Sequence, residues 1–94
     1  MAKNSKTLSQ IHDEFMRDPA YRVAYEAELE QERLQETLTT WRKNAGLTSA
    51  QVAERMGIKP PTVSRMEKNA TKMSYETLRR YANACGVHFR LQVI

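Results

Sequence analysis

Between Leu47 and Asn69 the chain holds two short helical patterns separated only by Gly57, Ile58 and Lys59, and this spacing constrains the fold more than any other feature. Thr48 and Gln51 stand at capping-box spacing, and Leu47 with Val52 at the spacing of a hydrophobic staple, so a helix is specified from Ser49. Gly57 has the conformational freedom to end it. Pro60 suits the first position of the next helix, and the pattern runs on to Asn69, whose tolerance of left-handed backbone predicts the helix end there. Helices of this length are marginal alone in water. They must pack on each other: Ala53 is small enough for close approach, and Val52, Met56, Ile58, Val63 and Met66 fill the space between.

The flanks read as further helices. Leu8, Ile11 and Phe15 give residues 7–17 an apolar stripe at spacings of three and four. Asp18 followed by Pro19 predicts a second helix start, with neither Gly nor Pro until Gly46. Its first half aligns Tyr21, Tyr25 and Leu29, and its second half Leu34, Leu38, Trp41 and Ala45. Either the halves bury against different things or the helix breaks near Glu30 to Glu32. Met73 and Leu78 staple a helix around Ser74 that shows Leu78, Ala82 and Cys85 to one side and ends at Gly86. Val87, Phe89, Leu91 and Val93 then alternate with polar residues, which predicts a half-buried strand. The expected organisation is a helical extension over 1–36, a helix-turn-helix domain over 37–86 and a terminal strand over 87–94.

Charge divides along the same boundary. Residues 1–36 carry five Lys or Arg against eight Asp or Glu, a net −3, whereas residues 37–94 carry ten against three, a net +7. The two segments should therefore meet partners of opposite charge. With 94 residues there is room for one small domain and an appendage, which excludes any large enzyme architecture. Cys85 is the single cysteine, so neither an internal disulfide nor a multi-cysteine metal site can form. His12 and His88 lie in separate segments, and no nucleophile triad, zinc-binding helix or phosphate-cradling glycine pattern is present. A non-enzyme without metal or cofactor is expected. No apolar run approaches the length of a membrane span, and the first fifteen residues lack the apolar core of a signal peptide, so the expected compartment is the cytoplasm.

Two helices around a short Gly-containing turn form the helix-turn-helix pattern, whose second helix enters the DNA major groove. Residues 38–86 resemble the Cro/C1-type (XRE) helix-turn-helix family. The resemblance is carried by Arg42, Gly46-Leu47-Thr48, Val52-Ala53, Gly57-Ile58, Pro61-Thr62-Val63-Ser64-Arg65, Glu67, and Leu78 with Ala82. It implies a mainly α, five-helix lambda-repressor-like domain, or its four-helix core, that binds double-stranded operator DNA. Thr62 and Arg65, three apart on one helix face, are the candidate base readers, because a guanidinium can fork to guanine and a hydroxyl can donate to a base. Pro61 and Ser64 lie beside them. Ser49 and Gln51, at the start of the preceding helix, are candidates for holding a phosphate, and Lys59, Lys68 and Lys72 for charge contacts that position without specifying. The resemblance also implies that Arg42 and Glu67 pair to tie the first helix of the domain to the end of the recognition helix. Two departures stand out. Pro60 replaces a hydrogen-bonding residue, often Gln, which removes one base contact common in the family, and Lys59 replaces the usual Ser or Thr cap.

The wider layout, an acidic helical arm before an XRE domain with a terminal Leu-Gln-Val-Ile strand, resembles HigA-type antitoxins of type II toxin-antitoxin modules. That resemblance implies autorepression and a HigB-type partner, a basic RelE-like ribonuclease toxin. Tyr21, Tyr25 and Leu29 would anchor such a partner, with Glu28 and Glu32 as steering charge. The alternative is a solvated arm packed on its own domain, in a plain phage-like repressor with no toxin partner. An adaptor that had lost DNA binding would be expected to lose Arg65 and the surrounding lysines, and they are present. Phe89, Leu91 and Val93 are candidates for a homodimer contact, since a lone strand leaves backbone groups unpaired. Folding back on the helices is the other possibility.

Overall fold

The computed structural model describes residues 6–94; Met1 to Ser5, with the Lys3 counted in the charge of the arm, lie outside the described residues. The described residues form five α-helices: α1 (Leu8–Phe15), α2 (Pro19–Asn44), α3 (Ser49–Met56), α4 (Pro60–Lys68) and α5 (Tyr75–Ala84), with a short 3₁₀ turn at Ala70–Lys72. There are two compact units, one ending at Glu30 and the other spanning Gln31–Ile94, so the division falls inside the unbroken α2. The long helix does not break at Glu30 to Glu32; its two halves bury against different things.

In the first unit, Thr7 caps α1, accepting from the Gln10 N–H while the Gln10 side chain accepts from the Thr7 N–H. Asp18 Oδ1 accepts the Ala20 N–H at 2.9 Å, satisfying a donor that the start of α2 would leave orphaned. The Tyr21 and Tyr25 stripe has a destination within the unit. His12 of α1 packs on Tyr25 with ring centroids 4.5 Å apart, and Phe15 on Tyr21 at 5.2 Å. Both tyrosines are therefore half-buried rather than displayed, and Leu29 is half-buried as well. Lys6 bridges to Glu14 across the exposed side of α1 and holds that carboxyl below its ordinary range.

The second unit is built around one core. Leu38 of α2, Val52, Ala53 and Met56 of α3, Val63 of α4, Ala70, Tyr81 and Ala84 of α5, and Cys85 at its C-terminal cap are buried together, with Leu34, Trp41, Ile58, Met66 and Leu78 packed around them. Ala53 is fully buried, as close helix approach requires. The helix-turn-helix unit thus draws on the second half of α2 together with α3, α4 and α5.

Among the described residues there is no strand, and residues 87–94 form no regular element. A strand is defined by its neighbour: a lone extended segment has no ladder to join, so alternation alone cannot make one. Phe89 instead folds back, stacking on Trp41 at 5.7 Å and meeting Tyr75 edge-on at 5.8 Å. Leu91 and Val93 stay exposed. Asn69 also departs from expectation. Its backbone, at φ −121° and ψ 41°, is not left-handed; its side-chain amide donates to the Arg65 carbonyl and its N–H is shared between the Arg65 and Met66 carbonyls, so the end of α4 is satisfied without an inverted residue.

Candidate nucleic-acid interface

The turn between α3 and α4 is set by local chemistry on both sides. Thr48 Oγ1 accepts the Gln51 N–H at 3.2 Å, and Gln51 Oε1 accepts the Thr48 N–H at 2.8 Å. Gly57, at φ 70° and ψ 33°, inverts the backbone and lets the Ile58 N–H reach the Ala53 carbonyl at 2.9 Å. A side chain there would meet no neighbour, so the need for glycine is one of backbone conformation alone. The chain re-enters helix at Pro60, with Lys59 in extended conformation before it and no side-chain cap.

Burial along α4 follows its helical period. Val63 and Glu67 face inward and Met66 is half-buried, whereas Pro61, Ser64, Arg65 and Lys68 form an exposed stripe. Thr62 stands at the edge of that stripe, half-buried. Lys59 and Lys72 flank it at either end and are exposed. With Pro60 and Pro61 in the first turn and the Thr62 N–H bonded to the Lys59 carbonyl at 2.9 Å, the start of α4 offers no cluster of free N–H groups to an anion. Its side chains must carry any contact.

The start of α3 is only partly available. Ser49 is half-buried, and the Gln51 N–H is already taken by the Thr48 cap, so of the three first-turn donors only those of Ser49 and Ala50 lack an intrahelical acceptor. The Gln51 side chain is exposed, with its oxygen engaged in the same cap.

The recognition helix is anchored from behind. Arg42 Nε lies 2.9 Å from Glu67 Oε2, and the guanidinium also reaches the Leu47 carbonyl at 3.4 Å. Glu67 is only 6% exposed, so the pair is largely withdrawn from water. The Tyr81 hydroxyl stands 2.6 Å from Glu67 Oε2 and 3.0 Å from the Leu38 carbonyl; its single proton goes to the carboxylate, the shorter and charge-assisted contact. Bonding to Glu67 raises the pKa of Arg42 above its ordinary range, while burial, and then the neighbouring carboxylate, push the Tyr81 phenol far up. Burial likewise raises the Cys85 thiol. The sequence reading missed Tyr81, because a tyrosine on a helix gives no sign of which acceptor its hydroxyl will find. It also missed Arg55 and Arg80, which donate to the Ala84 and Met56 carbonyls at 2.8 Å each and so serve the ends of α5 and α3.

Two short helices held around a three-residue turn, with a polar stripe exposed on the second and an ion pair behind it, define a helix-turn-helix protein. Residues 38–92 match the helix-turn-helix family, and the chain belongs to this family in its Cro/C1-type form. Among curated proteins it is similar to Antitoxin HigA1 of Mycobacterium tuberculosis, from the CDC 1551 / Oshkosh strain and from the ATCC 25618 strain. Each is 39% identical over 74 residues, covering 79% of this chain and 50% of the relative. The chain thus spans about half the length of those relatives. No solved structure matches it.

Proposed function

We propose that this chain is a sequence-specific DNA-binding antitoxin that represses its own operon as a homodimer and neutralises a basic RelE-like ribonuclease. The observation that carries the DNA-binding part is the exposed stripe of Pro61, Ser64, Arg65 and Lys68 on α4, opposite the buried Val63 and Glu67. Arg65 is the base reader, with Thr62 beside it; Ser49, Lys59, Lys68 and Lys72 hold the phosphate backbone and set register without reading sequence. The antitoxin part is supported by the similarity to Antitoxin HigA1 and by the acidic charge of the arm, where Glu28 and Glu32 are exposed. A plain repressor is the second reading, favoured by the packing of Tyr21 and Tyr25 on α1 inside their own unit, which leaves less of these two apolar anchors to a partner.

Titrating the full chain and Arg65→Ala against DNA from upstream of its own gene, and against random duplex, tests the first part. The substitution should cost about 1–3 kcal/mol on the specific site and relax one base position. Equal loss on both DNAs would remove Arg65 from base reading. Co-expression with the product of the neighbouring reading frame tests the second: growth rescue supports the antitoxin, and its failure leaves the plain repressor.

A further inference from the structure

The carbonyls at the end of a helix find no donor inside it, and at the end of α4 one side chain from far away in sequence supplies one. Gln31 Nε2 donates to the Lys68 carbonyl at 2.6 Å and lies 3.5 Å from that of Glu67. Its Oε1 accepts both the Thr71 N–H and the Thr71 hydroxyl, each at 2.9 Å. Both ends of a single amide are therefore spent on the turn that leaves the recognition helix. The turn is held beneath by Ala70, buried at 2% exposure, and within itself by the Lys72 N–H on the Asn69 carbonyl at 2.9 Å. Lys68 and Lys72, at its two ends, are exposed.

We propose that Gln31 is a positioning residue for DNA-backbone contact: by clamping Lys68 to Thr71 it fixes the direction in which Lys68 and Lys72 present their ammonium groups to phosphate. This rests on the DNA-binding reading above and assigns a function to a glutamine on α2, outside the helix-turn-helix pair. Such a clamp matters because an unbraced turn would let the ammonium groups point away from the phosphates, and the contacts themselves would be lost. A lysine on a free turn must be ordered at the moment of binding, whereas one on a braced turn has had its backbone ordered during folding. Only the backbone contacts should depend on it, since Arg65 stands one turn earlier on α4.

The salt dependence of affinity separates these contributions, because each phosphate contact steepens the slope of log K against log salt by about 0.9. The full-length chain and its variants are titrated against a 30-base-pair random duplex over a range of potassium chloride concentrations. Lys68→Ala and Lys72→Ala should each flatten the slope by about 0.9, and Gln31→Ala by between about 0.9 and 1.8, the loss of one or both of those contacts. On the Lys68→Ala, Lys72→Ala background, Gln31→Ala should add nothing further. Thr71→Val, which removes one hydroxyl bond and leaves the backbone intact, should flatten the slope less and in the same direction, with an unchanged melting temperature. If the lysine variants flatten the slope while Gln31→Ala does not, or if Gln31→Ala acts equally on the lysine-free background, the positioning role is refuted. If the lysine variants themselves leave the slope unchanged while the chain still binds, the assignment of Lys68 and Lys72 to phosphate falls, and the proposal with it.

Discussion

Replacing Arg42 with methionine removes the cation that pairs with Glu67, a carboxylate that the fold has withdrawn from water. Glu67 is 6% exposed and would keep just the Tyr81 hydroxyl, at 2.6 Å, as a strong partner. Removing one member of a buried ion pair costs about 3–5 kcal/mol, because the charge left behind has lost its solvent and its counterion together. The surviving Tyr81 bond places Arg42→Met at the lower end, about 3 kcal/mol. Domains of this size are stable by roughly 3–10 kcal/mol, so the substitution consumes a large part of that margin. At about 4–8 °C per kcal/mol it should lower Tm by roughly 12–24 °C. Urea denaturation followed by circular dichroism gives the free energy directly, with the m-value checking that the unfolded state is unchanged. The double variant Arg42→Met with Glu67→Met, which withdraws both charges, should recover most of the loss. A single-variant loss below about 1 kcal/mol, or a double variant no better than the single, would show that solvent reaches Glu67 and that the pair behaves as a surface ion pair.

The raised Tyr81 phenol makes stability fall in alkali: the native state holds that proton more tightly than the unfolded chain, so the contribution is complete below about pH 10 and declines as pH rises further. In a Cys85→Ala background, which removes the thiol titration, Tyr81→Phe should flatten that decline in a pH series of melts; an unaltered slope would count against the buried hydroxyl bond. Charge reversal at Glu28→Lys and Glu32→Lys should weaken capture of a basic partner at low salt while leaving α1 packed on Tyr21 and Tyr25, and calorimetry that finds affinity unchanged would clear the arm of that role. Leu91→Glu with Val93→Glu keeps the Phe89 stack on Trp41 and should convert a dimer to monomers in sedimentation; the same size before and after would place the dimer contact elsewhere.

Sequence alone determined the elements whose cause is local. The capping box at Thr48, the proline starts at Pro19 and Pro60 and the inverted glycine at Gly57 are decided by groups within a few residues of one another, and the apolar periods of α3 and α4 fix which face each helix buries. The position of the helix-turn-helix, and the outward aim of Arg65, were legible for the same reason. Tertiary structure decided what depends on a partner distant along the chain. In sequence Tyr21 and Tyr25 are anchors for a partner, whereas His12 and Phe15 of α1 pack on them, and the alternating tail has the pattern of a strand although among the described residues nothing stands beside it to complete a ladder. The four bonds of Gln31 and the hydroxyl of Tyr81 join residues 14 to 43 positions apart, where no periodicity connects donor to acceptor. A hydrogen bond is short and directional, so its partner becomes known only when packing has brought the two groups to within about 3 Å.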